Sequence, residues 1–272
     1  ESGLLYQNYY PNGPKRQLAF QPDQNGTMLW SIYEHYKNDL KESLVFKELI
    51  EKLANGICSV WNGRCFTILT HDVWEENYAY PRDETNHTYS LAACSYGLQC
   101  ANEIINNEKW FKTASEMKDQ IDKAYNGYFF RLSGKLKDKI IDASMLGLVY
   151  PFNIYDINDE KIINTINKIE QKIVKDNCVY RYENDLYDSF RFSGIDGRRG
   201  SGFWSTINFW MSIYYSLKKD RKKALNYYLS VIDKVNDYIP EQIFDNDIQK
   251  SPCPFAWSHA MFVISSKFLG FI

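Results

Sequence analysis

Three stretches of this 272-residue chain carry side chains that could do acid–base chemistry. The first is Thr70-His71-Asp72-Val73-Trp74-Glu75-Glu76, followed by Asn86-His87-Thr88. Asp72 and Glu75 stand at capping-box spacing, so the simplest structural reading is a short helical turn with Trp74 as a core anchor. Against it, Asn77-Tyr78-Ala79-Tyr80-Pro81 continues no apolar helical stripe. The second is Tyr238-Ile239-Pro240-Glu241-Gln242, with Trp257-Ser258-His259 further on. Pro240 at a helix N1 position followed by Glu241 is its structural reading. The third, Tyr180-Arg181-Tyr182-Glu183-Asn184-Asp185-Leu186-Tyr187, reads either as a surface salt-bridge cluster or as a rim of hydrogen-bonding groups around a polyhydroxylated ligand. Taken together, Glu75 and Glu241 supply what acetal hydrolysis needs. One carboxyl must give the leaving oxygen a proton and the other must activate water. Trp and Tyr walls would hold the apolar faces of sugar rings.

Such groups act together only if the chain positions them on one face. Apolar residues recur at helical spacing from Leu29 to Tyr36, Phe46 to Leu53, Thr88 to Ile105, Trp110 to Ile121, Ile162 to Ile173, Ser205 to Leu217, Arg221 to Val235 and Trp257 to Leu269. Asp142 is placed to cap a further short helix ahead of Pro151, which makes about nine. Ala92, Ala93 and Gly97 are small enough to let neighbouring helices approach closely. Tyr128 to Leu132, then Ser133-Gly134, then Lys135-Leu136 reads as a small β-hairpin. Long connections at about 57–86, 176–203 and 237–256 carry the three stretches, and helical hairpins packed side by side would gather them at one end. No linker composition divides the chain, so 1–272 reads as a single domain.

The run Asp72 to Glu76, Arg181-Tyr182 with Asp185-Leu186-Tyr187, the Trp204 to Trp210 stretch, Pro240-Glu241-Gln242 and Ala256-Trp257-Ser258-His259 occur in the order seen in glycoside hydrolase family 15. From about Gln21 onward the chain resembles the glucoamylases, glucodextranases and trehalases of that family. The resemblance implies an all-α (α/α)6 toroid and inverting hydrolysis that releases β-glucose from an α-linked glucose oligosaccharide or disaccharide. It implies Glu75 as general acid, Glu241 as general base, Glu76 and Arg181 as glycon ligands, and Trp74 and Trp257 as walls of that pocket. Trp204 would stack on the plus-one side, and Asp72 would position the acid loop. A complete toroid has twelve helices, and the motifs here fall where the fourth to twelfth should lie. The expectation is therefore a catalytic domain incomplete at its N-terminus, closed by a missing segment or a partner chain. That part would also supply an Arg-Asp pair, since Arg16 and Asp23 stand in a different context. A reading from another class is a carbohydrate-binding or regulatory module without hydrolysis, as in the glucoamylase-like domains of phosphorylase kinase regulatory subunits. Retention of both Glu75 and Glu241 argues for the enzyme.

Composition narrows the alternatives. With 32 basic and 34 acidic residues the net charge is −2, which disfavours nucleic acid and anionic membranes as partners. The six cysteines show neither a C-x-x-C pair nor Cys/His ligand spacing, so buried free thiols are expected. No metal or organic cofactor is expected, because two carboxylates and water suffice. The chain starts Glu1-Ser2-Gly3 with no leader pattern, which favours a cytoplasmic location. Asn25-Gly26-Thr27 and Asn86-His87-Thr88 fit the glycosylation sequon, the second also reading as a helix cap.

Overall fold

The computed structural model describes residues 2–16, 19–189, 194 and 199–272. The chain divides into two compact units, Glu1–Lys139 with Pro151–Tyr155, and Ile140–Tyr150 with Asp156–Ile272. The first unit holds α1 (Pro22–Tyr36), α2 (Lys47–Ser59), α3 (Thr88–Ile104) and α4 (Glu108–Lys123). Pro22 opens α1, where the missing amide hydrogen costs nothing. Asn107 caps α4 by accepting from the Lys109 and Trp110 backbone N–H groups. The inner helix is α3, whose Leu91, Ala92, Ala93, Cys94, Leu98 and Ala101 are fully buried between α1 and α4. Small residues let it approach as the sequence suggests. A Cβ on Gly97 would lie 2.5 Å from the Gly26 carbonyl oxygen, and one on Gly26 would lie 2.2 Å from that of Ala93.

Beside this crossing, Asn25 is buried, donates to the Gly3 and Leu53 carbonyls and accepts from the Leu5 N–H. Asn86 is buried as well and donates to the Arg64 carbonyl. It lies in a strand and makes no side-chain cap for α3, contrary to the expected capping role.

The second unit holds α5 (Glu160–Ile173), α6 (Ser205–Leu217), α7 (Arg221–Ile232) and α8 (Ala256–Leu269). Its inner helix is α6, buried at every residue from Ser205 to Tyr215 and packed on α7 and α8. By contrast α5 buries a single stripe, Ile162, Thr165, Ile166, Ile169 and Ile173. Asp142 caps its segment as expected, accepting from the Ser144 N–H and hydroxyl. That segment, Ala143–Leu148, winds as a 3-10 helix. It is too short to be worth an α-helical nucleus and is stopped by the approach of Pro151. With that substitution, the expected helical segments are all present and the fold is mainly helical.

Four two-stranded antiparallel pairs decorate the helices among the described residues: β1 (Thr70–His71) with β2 (Tyr78–Ala79), β3 (Asn86–His87) with β4 (Leu132–Ser133), β5 (Val174–Lys175) with β6 (Cys178–Val179), and β7 (Phe203–Trp204) with β8 (Gln242–Ile243). The expected hairpin around Ser133-Gly134 has a different partner. Leu132–Ser133 pairs with Asn86–His87, while Leu132 bridges Asp138. The Arg131 Nε bond to Asp138 at 2.6 Å and the approach of Gly134, at φ 140°, to the Glu84 carbonyl fix this wider turn.

All six cysteines are free, five of them buried and Cys253 exposed. Burial pushes the Cys100 thiol up to about 12. Among the described residues no group of three or more His, Cys, Asp or Glu could hold a metal ion, and no helix is long and apolar enough to cross a membrane.

Candidate active site

In the first unit β1 and β2 form a hairpin, with Thr70 opposite Ala79 and His71 opposite Tyr78, and the loop 72–77 closes it. Asp72 builds that loop. Its buried carboxylate accepts from the Glu76 N–H at 2.8 Å, the Asn77 N–H at 3.0 Å and Asn77 Nδ2 at 2.9 Å. Short-range acceptance of this kind lets Asp replace a helical or sheet ladder with a turn. The backbone adds Asp72 N–H to the Asn77 carbonyl and Glu75 N–H to the Asp72 carbonyl. The capping box therefore does not form, because Asp72 spends its oxygens on residues beyond Glu75. Glu75 itself sits at φ 60°, a left-handed conformation that costs a non-glycine residue about 1–2 kcal/mol. Trp74 turns inward and is buried, whereas Glu75 and Glu76 are both exposed. Gln7 Nε2 donates to Glu75 Oε2 at 2.7 Å.

A buried polar group backs this loop. The His71 N–H donates to the Phe20 carbonyl, and Thr70 bridges Phe20, so the hairpin is stitched to the chain entering α1. On α1, Asp23 accepts from Ser90 Oγ of α3, and burial, assisted by the Asp72 charge, raises its carboxyl to about 7. Burial also lowers the His87 imidazole to about 4, assisted by Arg131 and His71 and opposed by Asp72 and Asp138. His71, stacked on Tyr78 at 4.4 Å, is lowered for the same main reason.

In the second unit Arg181 is 2% exposed, and Asp185 takes it bidentately, Nε to Oδ2 at 2.7 Å and Nη2 to Oδ1 at 2.8 Å. Its guanidinium lies over the rings of Trp204, Tyr187 and Tyr182 at 4.6, 4.9 and 5.0 Å. This is a buried pair in an aromatic box, and so not a surface salt-bridge cluster. Trp204 is 4% exposed and pairs with Gln242 in the β7–β8 register. No helix follows Pro240. The Glu241 N–H donates to the Pro252 carbonyl and the Glu241 carbonyl accepts from the Ser205 N–H at the start of α6. Buried Gln242 clamps this segment, its Oε1 accepting from Ser201 Oγ and the Gly202 N–H and its Nε2 donating to Ser189 Oγ. Trp257, in the first turn of α8, meets buried Trp210 edge-on at 6.4 Å. Its neighbour Ser258 donates to the Pro240 carbonyl.

The model of the family described as glycosyl hydrolases family 15 matches residues 2–194. This chain belongs to that family. An uncharacterized glycosyl hydrolase of Methanocaldococcus jannaschii is 32% identical over 286 aligned residues, which cover 96% of this chain and 44% of that protein. A trehalase of Thermoplasma volcanium is 24% identical, covering 82% of this chain and 34% of its own length. This family 15 chain thus spans less than half the length of these curated relatives. A bacterial glucoamylase solved with acarbose superposes with a TM-score of 0.75 at 21% identity, covering 98% of this chain and 43% of that one. The fold is accordingly of the glucoamylase (α/α)6 type, matched over part of that chain.

Within its first unit the family 15 chain brings together Asp72, Trp74, Glu75 and Glu76. Within its second it brings together Arg181, Trp204 and Glu241 with Trp257, around the starts of α6 and α8. Residues 190–193 and 195–198 of the long 176–203 connection lie outside the described residues. Sequence reasoning missed Gln7, 68 positions from Glu75, because no local signal marks a contact across that span. It also set Asp23 aside, and its polar neighbours Gln21, Gln24 and Asn25 carry no sign of the burial against Ser90 of α3.

Proposed function

We propose that this chain is an inverting, exo-acting glycoside hydrolase of glucoamylase type that releases β-glucose from α-linked gluco-oligosaccharides. The observation that carries the reading is the acid loop. One buried carboxylate, Asp72, gathers the turn that leaves Glu75 and Glu76 exposed side by side next to a buried Trp74. In this mechanism Glu75 gives its proton to the glycosidic oxygen as the bond to the anomeric carbon breaks. Glu241 takes a proton from the water that attacks that carbon from the opposite side, and the configuration inverts. Glu75 ends ionised and Glu241 protonated, and exchange with solvent resets both. Glu76 and Arg181 serve as glycon ligands, with Arg181 held flat by Asp185 and Trp204. Trp74 and Trp257 serve as apolar walls of the glycon pocket, and Trp204 stacks on the plus-one side. Neither a metal nor an organic cofactor has a part in these steps.

The trehalase relative makes α,α-trehalose the second substrate to test. Proton NMR of the purified chain with maltotriose and with trehalose, read before mutarotation, decides the matter. Early β-glucose is expected, and the tube in which it forms identifies the linkage. Early α-glucose would overturn the roles of Glu75 and Glu241. A folded sample that releases no glucose would favour a non-hydrolytic carbohydrate-binding module.

A further inference from the structure

We infer that Gln7 is the positioning residue of the general acid, its carboxamide holding Glu75 Oε2 so that the transferable proton resides on Oε1. The inference rests on the reading of Glu75 as the acid. Gln7 is itself fixed at three points. Its N–H donates to the Ala19 carbonyl at 3.2 Å, its carbonyl accepts from Gln24 Nε2 at 3.1 Å, and its side-chain Nε2 donates to Glu75 at 2.7 Å. Gln24 belongs to α1 and donates also to Gln21 Oε1, so the grip on Glu75 runs back into a helix. The Tyr6–Phe20 and Tyr9–Lys15 bridges shape the segment that carries Gln7, and Lys15 Nζ sits 3.6 Å over the Tyr6 ring.

Two features separate this contact from ordinary packing. Gln7 Oε1 is buried and has no hydrogen-bond partner among the described residues, an arrangement that costs about 1–3 kcal/mol and that an apolar side chain would avoid. The amide is tolerated there for what its Nε2 does. A neutral donor also suits an acid that must cycle. A cation in the same place would hold a carboxyl ionised, whereas an amide can donate to a carboxylate oxygen and, more weakly, to the carbonyl oxygen of a carboxylic acid. The bond to Oε2 therefore survives loss and regain of the proton on Oε1, and the proton stays aimed without reorientation.

The test compares two substrates. Maltose needs a proton on its leaving oxygen, whereas α-glucosyl fluoride loses fluoride with little help from an acid. Gln7→Leu should lower kcat on maltose by about 10- to 100-fold with KM little changed, the scale of a misplaced catalytic group, while turnover of the fluoride stays within about twofold. Gln7→Met keeps the reach without the donor and should behave as the Leu variant does. Equal losses on both substrates, or no loss on maltose, would overturn the inference. Glu75→Gln run in parallel separates the two claims. If that variant is selective for maltose and Gln7→Leu is not, only the inference about Gln7 falls; if Glu75→Gln is itself unselective, the acid assignment falls with it. A readout free of turnover is the Gln7 side-chain amide pair in a nitrogen-15 NMR spectrum. It should move in Glu75→Gln, and an unmoved pair overturns the contact.

Discussion

The loop that carries Glu75 and the segment that carries Glu241 hold their carboxylates in opposite ways. Glu75 is exposed on a six-residue turn whose shape depends on one side chain, Asp72, acting on its immediate neighbours. Glu241 is half-buried in a segment fixed from several directions, by Pro252, by Ser205 and through Gln242 by Ser189, Ser201 and Gly202. A locally anchored group is open to its substrate but depends on one residue. A group held by distributed clamps loses little when any one clamp is removed. The difference suits the proposed chemistry, since a proton donor must follow a departing oxygen whereas a base must hold one water in place.

The comparison breaks first at the carboxylates themselves. Glu75→Gln and Glu241→Gln should each cost about 10²–10⁴ in kcat on an oligosaccharide, measured as initial rates of glucose release. A variant that retains the parent rate would remove that residue from the mechanism. Next comes the buried pair. Asp185→Ala leaves the Arg181 guanidinium buried without its carboxylate and should destabilise the fold by about 3–5 kcal/mol in urea unfolding.

The pH dependence of stability has two opposed contributors behind the 72–77 loop. Asp23, raised to about 7, keeps a proton in the folded state that the unfolded chain releases near 4, so its contribution is full below 4 and is lost as pH rises to about 7. The amount is roughly 4 kcal/mol for a shift of that size. His87, lowered to about 4, acts with the opposite sign: its contribution is full above about 6.5 and is lost as pH falls through 4. In the parent chain the two slopes offset each other between about pH 4 and 6.5. Asp23→Asn should expose the His87 slope, giving stability that climbs with pH over that window. An unchanged profile in denaturant titrations would show that Asp23 ionises as it does in water.

The smallest effect sharpens the comparison most. Asp72→Ala should cut turnover by about tenfold or more, because one displaced group can cost that much, while the melting temperature moves little. Gln242→Ala should do the reverse, costing about 1–3 kcal/mol of stability by leaving buried partners unsatisfied, with turnover nearly retained. Matched effects in the two variants would mean that the two halves are held alike.

What the chain discloses before folding follows the range of its interactions. The inner character of α3 was legible from Ala93 and Gly97, and the cap at Asp142 from its place before an apolar run, because both depend on neighbours in sequence. The W-E-E and P-E-Q runs marked the carboxylates. Their conformations did not follow from the same residues. Asp72 fitted a capping box and made a hairpin turn; Pro240 fitted a helix start and precedes a strand; Arg181 fitted a surface cluster and lies buried with Asp185. At Asp72 a competing local pattern won, its carboxylate taking the Glu76 and Asn77 N–H groups, while contacts far along the chain, Phe20 to the hairpin, Ser205 to Glu241 and Trp204 to Arg181, fixed where each segment packs.

The seam where α1 crosses α3 bears on how the protein can be produced. The Asn25 carboxamide is consumed by Gly3, Leu53 and Leu5, and Gly26 beside it has no room for even a methyl group. An oligosaccharide joined to Asn25 would have to be attached while the chain was still open, and it would then hold α1 away from α2 and from the segment of Gly3 and Leu5. Asn86, buried against Arg64, presents the same hazard at the strand leading into α3. Expression through a secretory pathway that modifies Asn-x-Thr sites should therefore yield misfolded product, and replacing Thr27 and Thr88 by residues that break the sequons would be the remedy to try there.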